Sequence, residues 1–266
     1  MLLLRILSAL VGIPVVLGSV YLGGQWYALF ILLVANLAVY EYNYIFNSQG
    51  YRLPALLSFL GVSLFIVILF LEQYLLILPL IMLVFFLLYV TVIFTMERKS
   101  IVEAALTLWG VIYLGGLFGF MLMLRMLPEG ALYTYLLLAG VWIHDTLAYF
   151  IGVRWGVRKF APQISPKKSV EGSLAGICGT VIIFFSASIL FPDLLPVNPI
   201  GAVFLSAGIA VFAQLGDLLE SALKRQLQIK DTGSIIPGHG GILDRFDSLL
   251  LAAPFVYYFF ILFNML

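Results

Sequence analysis

Residues 74–95 read YLLILPLIMLVFFLLYVTVIFT, an apolar run without a single Asp, Glu, Lys or Arg. A helix of about 20 such residues, rising about 1.5 Å per residue, matches the roughly 30 Å hydrocarbon core of a bilayer. Comparable runs occur at about 6–22, 26–46, 54–71, 104–127, 131–152, 172–191, 199–220 and 248–266. The sequence therefore predicts an all-α, polytopic integral membrane protein of about nine transmembrane helices. Composition agrees, since the chain is 63% hydrophobic and 10% charged, against roughly 45–50% and 25% in soluble domains. That balance excludes a soluble globular enzyme.

The placement of positive charge tests the count. With nine spans, the N-terminus and every second loop share one side of the membrane. Arg5, Arg52, Arg98, Lys99, Arg154, Arg158, Lys159, Lys167, Lys168, Lys224, Arg225, Lys230 and Arg245 fall on that side, and Arg125 alone falls opposite. One helix missed or added would scramble this asymmetry, which predicts a cytoplasmic N-terminus and an outside C-terminus. The opening run lacks a clear small-residue cleavage site and reads as a retained helix. Cys178 is the only cysteine, so neither a disulfide framework nor a cysteine metal site is available. A net charge of +1 gives no reason to expect a nucleic-acid partner.

Residues 1–266 read as one transmembrane domain, with a hydrophobic scaffold over 1–103 and a catalytic half over 104–266. Residues 1–140 carry 10 of the 27 charged side chains, thinly spread and mostly at helix ends. All later charges but Asp193 fall within 141–171 and 217–247, windows that the topology brings to the cytoplasmic face.

In the first window, Asp145 lies about seven residues inside its span. A carboxylate at that depth is costly unless it meets a cavity, metal or partner, which makes it a functional candidate; a hydrogen bond to a neighbouring helix is the plainer alternative. His144 points about 100° away and reads as a packing or hydrogen-bonding residue rather than a ligand. Arg154, Arg158, Lys159 and Trp155 suit an interfacial anchor. Ser165-Pro166-Lys167-Lys168-Ser169 reads as a proline-set turn whose lysines, with helix-end amides at Glu171-Gly172-Ser173, would suit phosphate. On its own it reads better as a solvated basic loop.

In the second window, Glu220 and Lys224 are spaced as a surface i, i+4 pair. Asp217 has no basic residue within four positions on its own helix, which makes it the better metal ligand. Pro237-Gly238-His239-Gly240-Gly241 precedes the last helix, whose first turns carry Asp244, Arg245 and Asp247. Glycines allow close backbone approach, and helix N-terminal amides favour anions. Asp244 and Asp247 share a helix face, and hard Mg²⁺ takes carboxylates together with phosphate oxygens. Acids amid Lys224, Arg225, Lys230 and Arg245 suit a metal and polyphosphate site.

The spacing SxxKRxxxxKDxGxxxPGHGGxxDRxD, running from Ser221 to Asp247, resembles the signature of the phosphatidate cytidylyltransferase (CDP-diacylglycerol synthase) family. The resemblance extends to Asp145-Thr146 with Ala148-Tyr149, to Ser165-Pro166-Lys167-Lys168, and to Gly216-Asp217 with Glu220-Ser221. It implies transfer from CTP to phosphatidate with Mg²⁺, releasing pyrophosphate, in a membrane that a bacterial host would make the inner one. The lipid phosphate is already anionic, so the protein must supply positioning and charge neutralisation rather than a nucleophile. On this reading Asp217, Asp244 and Asp247 hold one or two cations, with Asp145 and Asp231 in their first or second shell. Ser165, Lys167, Lys168, Lys224, Arg225, Lys230 and Arg245, with Gly238, Gly240 and Gly241, would hold phosphates. His239 would shape the pocket.

Two rivals remain in the sequence. A secondary transporter predicts a midplane site and matching inverted halves, whereas here the charge is one-sided. A related enzyme acting on an ether or prenyl lipid phosphate would need nearly the same head-group residues. A homodimer is compatible with the sequence, and nothing in the sequence argues for one.

Overall fold

The structure is a computed structural model that describes residues 2–95, 100–193, 195, 197–238 and 240–263. It contains α1 (Leu2–Leu22), α2 (Gly24–Ser48), α3 (Ala55–Phe70), α4 (Ile77–Phe94), α5 (Ile101–Gly110), a π-helical turn (Val111–Gly115) and α6 (Gly116–Met126). After these come α7 (Gly130–Trp155), a hairpin of β1 (Lys159–Ala161) and β2 (Ser165–Ser169), then α8 (Val170–Leu190), α9 (Pro199–Gln226) and α10 (Leu243–Phe263).

Each of the nine apolar runs coincides with a helix, α5 and α6 together filling one of them. Among the described residues, seven helices are long and apolar enough to cross a membrane, while Ile6–Leu22 of α1 and all of α3 are shorter. Burial shows which faces meet lipid. On α4 the buried residues are Leu80, Val84 and Leu88, one stripe at i, i+4 spacing, while Leu78, Met82, Phe85 and Phe86 are exposed. Such apolar exposure would drive aggregation in water and is what a hydrocarbon solvent requires. The protein is an integral membrane protein.

The chain divides into two compact units. Unit 1 comprises residues 1–127 and 227–245, and unit 2 comprises 128–226 and 246–266. In unit 1, small residues allow α3 to lie close to the α5–α6 segment. A Cβ on Gly61 would stand 2.9 Å from the Val111 side chain, and one on Gly115 would stand 3.1 Å from Phe65. Tyr42 Oη donates to Leu106 O at 2.9 Å, just ahead of the π turn, where backbone pairing changes register. Buried Glu103 completes a capping box with Ser100 at the start of α5 and also accepts Arg52 N at 2.5 Å.

In unit 2, the glycines of α8 face α7. A Cβ on Gly172 would lie 2.6 Å from Ala148 O, and one on Gly176 would lie 2.7 Å from His144 Nδ1. Close backbone approach through small residues substitutes for the hydrophobic driving force that lipid cannot provide. Farther along, Tyr133 stacks on Phe260 and Phe212 on Phe255.

The hairpin corrects the expected turn at Ser165–Ser169. That segment is strand β2, antiparallel to β1, and the turn falls at residues 162–164. Both strands are edges, so Pro166 is tolerated. Ser169 Oγ accepts Gly172 N at 3.1 Å and caps α8, while Glu171 accepts Val157 N and Arg158 N. The hydroxyl and amides suggested for phosphate therefore close the hairpin onto its helix.

Candidate functional site

Unit 2 gathers one acid–base cluster at the C-terminal part of α9. Lys168 Nζ on β2 lies 2.5 Å from Asp217 Oδ2 on α9. Asp217 Oδ1 accepts the hydroxyl of Ser221, one turn on, at 3.2 Å. The hairpin thus supplies the cation that Asp217 lacks within four positions on its own helix. Arg225 Nε reinforces this arrangement by donating to Ile164 O at the hairpin turn, 3.1 Å away.

Gly216 explains how Asp217 comes beside α10. A Cβ there would strike the carbonyl oxygen of Asp247 and lie 3.2 Å from Leu251 Cβ. The backbones of α9 and α10 consequently approach closely at Asp247. That carboxylate feels the charges of Asp217, Lys224 and Asp145, and its Oδ1 accepts Ser248 N at 2.6 Å. Asp145 and neighbouring Thr146 are exposed on α7. His144 is buried, as its packing role predicts.

Glu220 and Lys224, expected as a surface pair, are inside the protein. The Lys224 Nζ to Glu220 Oε1 distance is 3.0 Å, and Glu220 is 3% exposed. A lysine held this way presents its charge at a defined place. Ser165 is half-buried, while Lys167 and Arg225 are exposed.

Unit 1 holds the glycine-rich part of the signature. Gly238 and Gly240 have φ of 79° and 83°, in the region that favours glycine. Ile236 N donates to Gly240 O at 3.0 Å, pairing these two residues as an isolated antiparallel bridge. His239 lies outside the described residues. Lys230, Asp231 and Arg245 are exposed.

The helix-end amides expected to grip phosphate are already occupied by carboxylates. Asp244 Oδ2 accepts Thr232 N, Thr232 Oγ1 and Gly241 N, each at 2.9 Å. Glu41 on α2 accepts Ile242 N at 2.9 Å and Leu243 N at 3.0 Å. In the sequence Glu41 is one of the sparse charges of the scaffold half. Its signal was nonetheless present, because it interrupts the apolar run 26–46 as Asp145 interrupts its own.

The carboxylates expected to bind metal are thus distributed. Asp145, Asp217 and Asp247 belong to unit 2, and Asp231 and Asp244 to unit 1. Among the described residues no three His, Cys, Asp or Glu side chains form a ready metal cluster. Lys168 stands against Asp217, and Asp244 holds its own loop.

A membrane helical protein with a one-sided acid–base cluster and a glycine-rich loop entering its last helix fits a nucleotidyltransferase of the bilayer. The Cytidylyltransferase family profile matches residues 3–263. The chain belongs to the cytidylyltransferase family. It is 36% identical over 263 residues to a phosphatidate cytidylyltransferase of Staphylococcus saprophyticus, covering 94% of this chain and 95% of that one. It is 42% identical over 173 residues to the Bacillus subtilis protein of that name, covering 64% of this chain and 61% of the relative. With the Thermotoga maritima protein of the same name it shares 44% identity over 134 residues, 49% of this chain and 50% of the relative.

Proposed function

We propose that this chain transfers the cytidylyl group of CTP to the phosphate of phosphatidate, forming CDP-diacylglycerol and pyrophosphate at the cytoplasmic face of a bacterial inner membrane. The observation that carries the reading is the unit 2 cluster, in which Asp217 and Asp247 lie beside each other with Lys168 and Lys224 as their cations. Family membership and the names of the relatives support the substrates. The gathering of all but one of the basic residues on one predicted side supports the orientation.

In the reaction a phosphatidate oxygen attacks the α-phosphorus of CTP, the bond to the β-phosphate oxygen breaks, and pyrophosphate leaves with the electron pair. The attacking oxygen is already anionic, so no side chain need remove a proton. Lys168 and Lys224 neutralise phosphate charge as two polyanions approach. An arriving phosphate competes with Asp217 for Lys168, and so releases a carboxylate where negative charge has just accumulated. Asp217 and Asp247, with Asp145 within electrostatic range, do not stand as a ready cluster, but as hard-oxygen carboxylates they would hold Mg²⁺ once phosphate draws Lys168 away. When bound, that ion would supply further neutralisation of phosphate charge. Asp244 acts on the loop, fixing Thr232 and Gly241, and the exposed Lys167, Arg225, Lys230 and Arg245 draw anionic substrates.

The test is conversion of radiolabelled CTP and phosphatidate to lipid-extractable product by the detergent-purified protein, with Mg²⁺, with chelator, and for Asp217→Asn. Prenyl phosphate serves as the parallel lipid. Label that enters phosphatidate only with metal, and fails to do so in the variant, supports the proposal. A folded wild type that labels neither lipid overturns it.

A further inference from the structure

A carboxylate inside a membrane helix is costly unless its charge is met. Glu41 is 1% exposed on α2, yet among the described residues no lysine or arginine forms an ion pair with it. Backbone amides meet the charge instead. Its two oxygens accept Ile242 N and Leu243 N, 201 and 202 residues away, at the N-terminus of α10. The partial positive charge of the helix end and two directed N–H groups make a favourable setting for an anion.

The loop is shaped around this carboxylate. A Cβ on Gly233 would lie 2.5 Å from Glu41 Oε1, and one on Gly241 would lie 2.6 Å from Glu41 Oε2. Helices are ordinarily capped by a Ser, Thr, Asp or Asn immediately before the first turn. Here the residue before α10 is Ile242, whose side chain has no acceptor, and the side-chain cap comes from a distant helix. A local residue would suffice to stabilise a helix end. A distant one also fixes where that end lies against α2.

We infer that Glu41 is a positioning residue for the cytidylyl transfer, setting the start of α10 and so the placement of Asp244 and Arg245. The inference rests on the proposed activity. Glu41 touches no reacting atom and acts through the Gly241–Leu243 backbone. Replacing one carboxylate oxygen with an amide NH₂ sets donor against donor at Ile242 or Leu243, and the helix start must shift to escape.

Glu103 provides the internal control. It too is a buried carboxylate of unit 1 that caps a helix, but it caps α5, and its partners Ser100 and Arg52 lie outside the signature. The experiment compares Glu41→Gln, Glu41→Asp and Glu103→Gln for kcat, KM for CTP and thermal midpoint in one detergent. The inference predicts a fall of at least tenfold in kcat for Glu41→Gln, an intermediate fall for Glu41→Asp, and lowered thermal midpoint with kcat within twofold for Glu103→Gln. If Glu41→Gln does not fold, Glu41→Asp and Gly241→Ala, which crowds the same carboxylate from the loop side, decide by the same kcat criterion. Equal kcat per folded molecule in the Glu41 and Glu103 variants would overturn the inference. An inactive wild type would instead overturn the proposed activity.

Discussion

Gly216 offers the sharpest test of how the acid cluster is assembled. Replacing it with Ala places a methyl carbon against the Asp247 carbonyl, closer than real Cβ atoms come, with Leu251 Cβ 3.2 Å away. A tolerable carbon–oxygen contact is about 3.3 Å or more, so α9 and α10 must part by about 1 Å at this level. Overpacking of this kind costs about 1–3 kcal/mol, which lowers the thermal midpoint by several degrees, at about 2–4 °C per kcal/mol for a chain of this size. The larger effect falls on chemistry. Asp217 is the next residue, and the displaced carbonyl is that of Asp247, so the methyl group separates the two carboxylates. A misplacement of about 1 Å can cost on the order of 10²-fold in rate. The assay is labelled-product formation beside thermal unfolding, with Gly116→Ala as control, because a Cβ there meets nothing within 4 Å. Gly116→Ala keeps its activity and gains about 0.5–1 kcal/mol of helix stability. A Gly216→Ala protein with wild-type activity and midpoint would refute the close-approach argument.

Other substitutions separate stability from function. Glu220→Gln leaves Lys224 inside the protein without its carboxylate partner, at a cost of about 3 kcal/mol, and the joint change with Lys224→Met regains much of the lost midpoint while activity stays low. Ser169→Ala removes the α8 cap, costs about 1 kcal/mol and leaves CTP turnover within a few fold, as read from midpoint and steady-state rate. Lys168→Met removes the cation beside Asp217 and raises KM for CTP about tenfold or more, from the loss of a charge-assisted phosphate contact worth about 1.5–3 kcal/mol. Titration with CTP at two ionic strengths checks this, since the variant has one cation fewer for salt to screen.

Much of the fold was legible because hydrocarbon imposes a simple grammar. Runs such as 74–95 and 172–191 require helices, whatever their neighbours. The segment 224–247 was legible as a site because glycines and charges have no packing use at that density. What the sequence hid were partnerships across distance. Lys168 lies in a stretch whose proline suggested a turn, and hairpin pairing with β1 carries it to Asp217. Glu220 and Lys224 have surface spacing, and only tertiary burial distinguishes them from a solvated pair. Glu41 was hidden by its company. The rule that singled out Asp145, an acid within an apolar run, applies equally to it, but its partners are backbone amides that leave no mark in side-chain chemistry.

The order in which the chain fills its two units has a consequence during synthesis. Unit 1 opens with residues 1–127 and closes only with 227–245, while unit 2 opens at 128 and closes with 246–266. Neither unit is contiguous, so the first helices leave the ribosome and enter the bilayer long before the glycine-rich loop that completes their unit exists. Glu41 must wait about 200 residues for its amides. During that interval a buried carboxylate has no native partner, and α2 is the helix most exposed to misplacement or to the quality-control proteases of the membrane. The same ordering means that no truncation at a single point yields a finished unit 1 without most of unit 2.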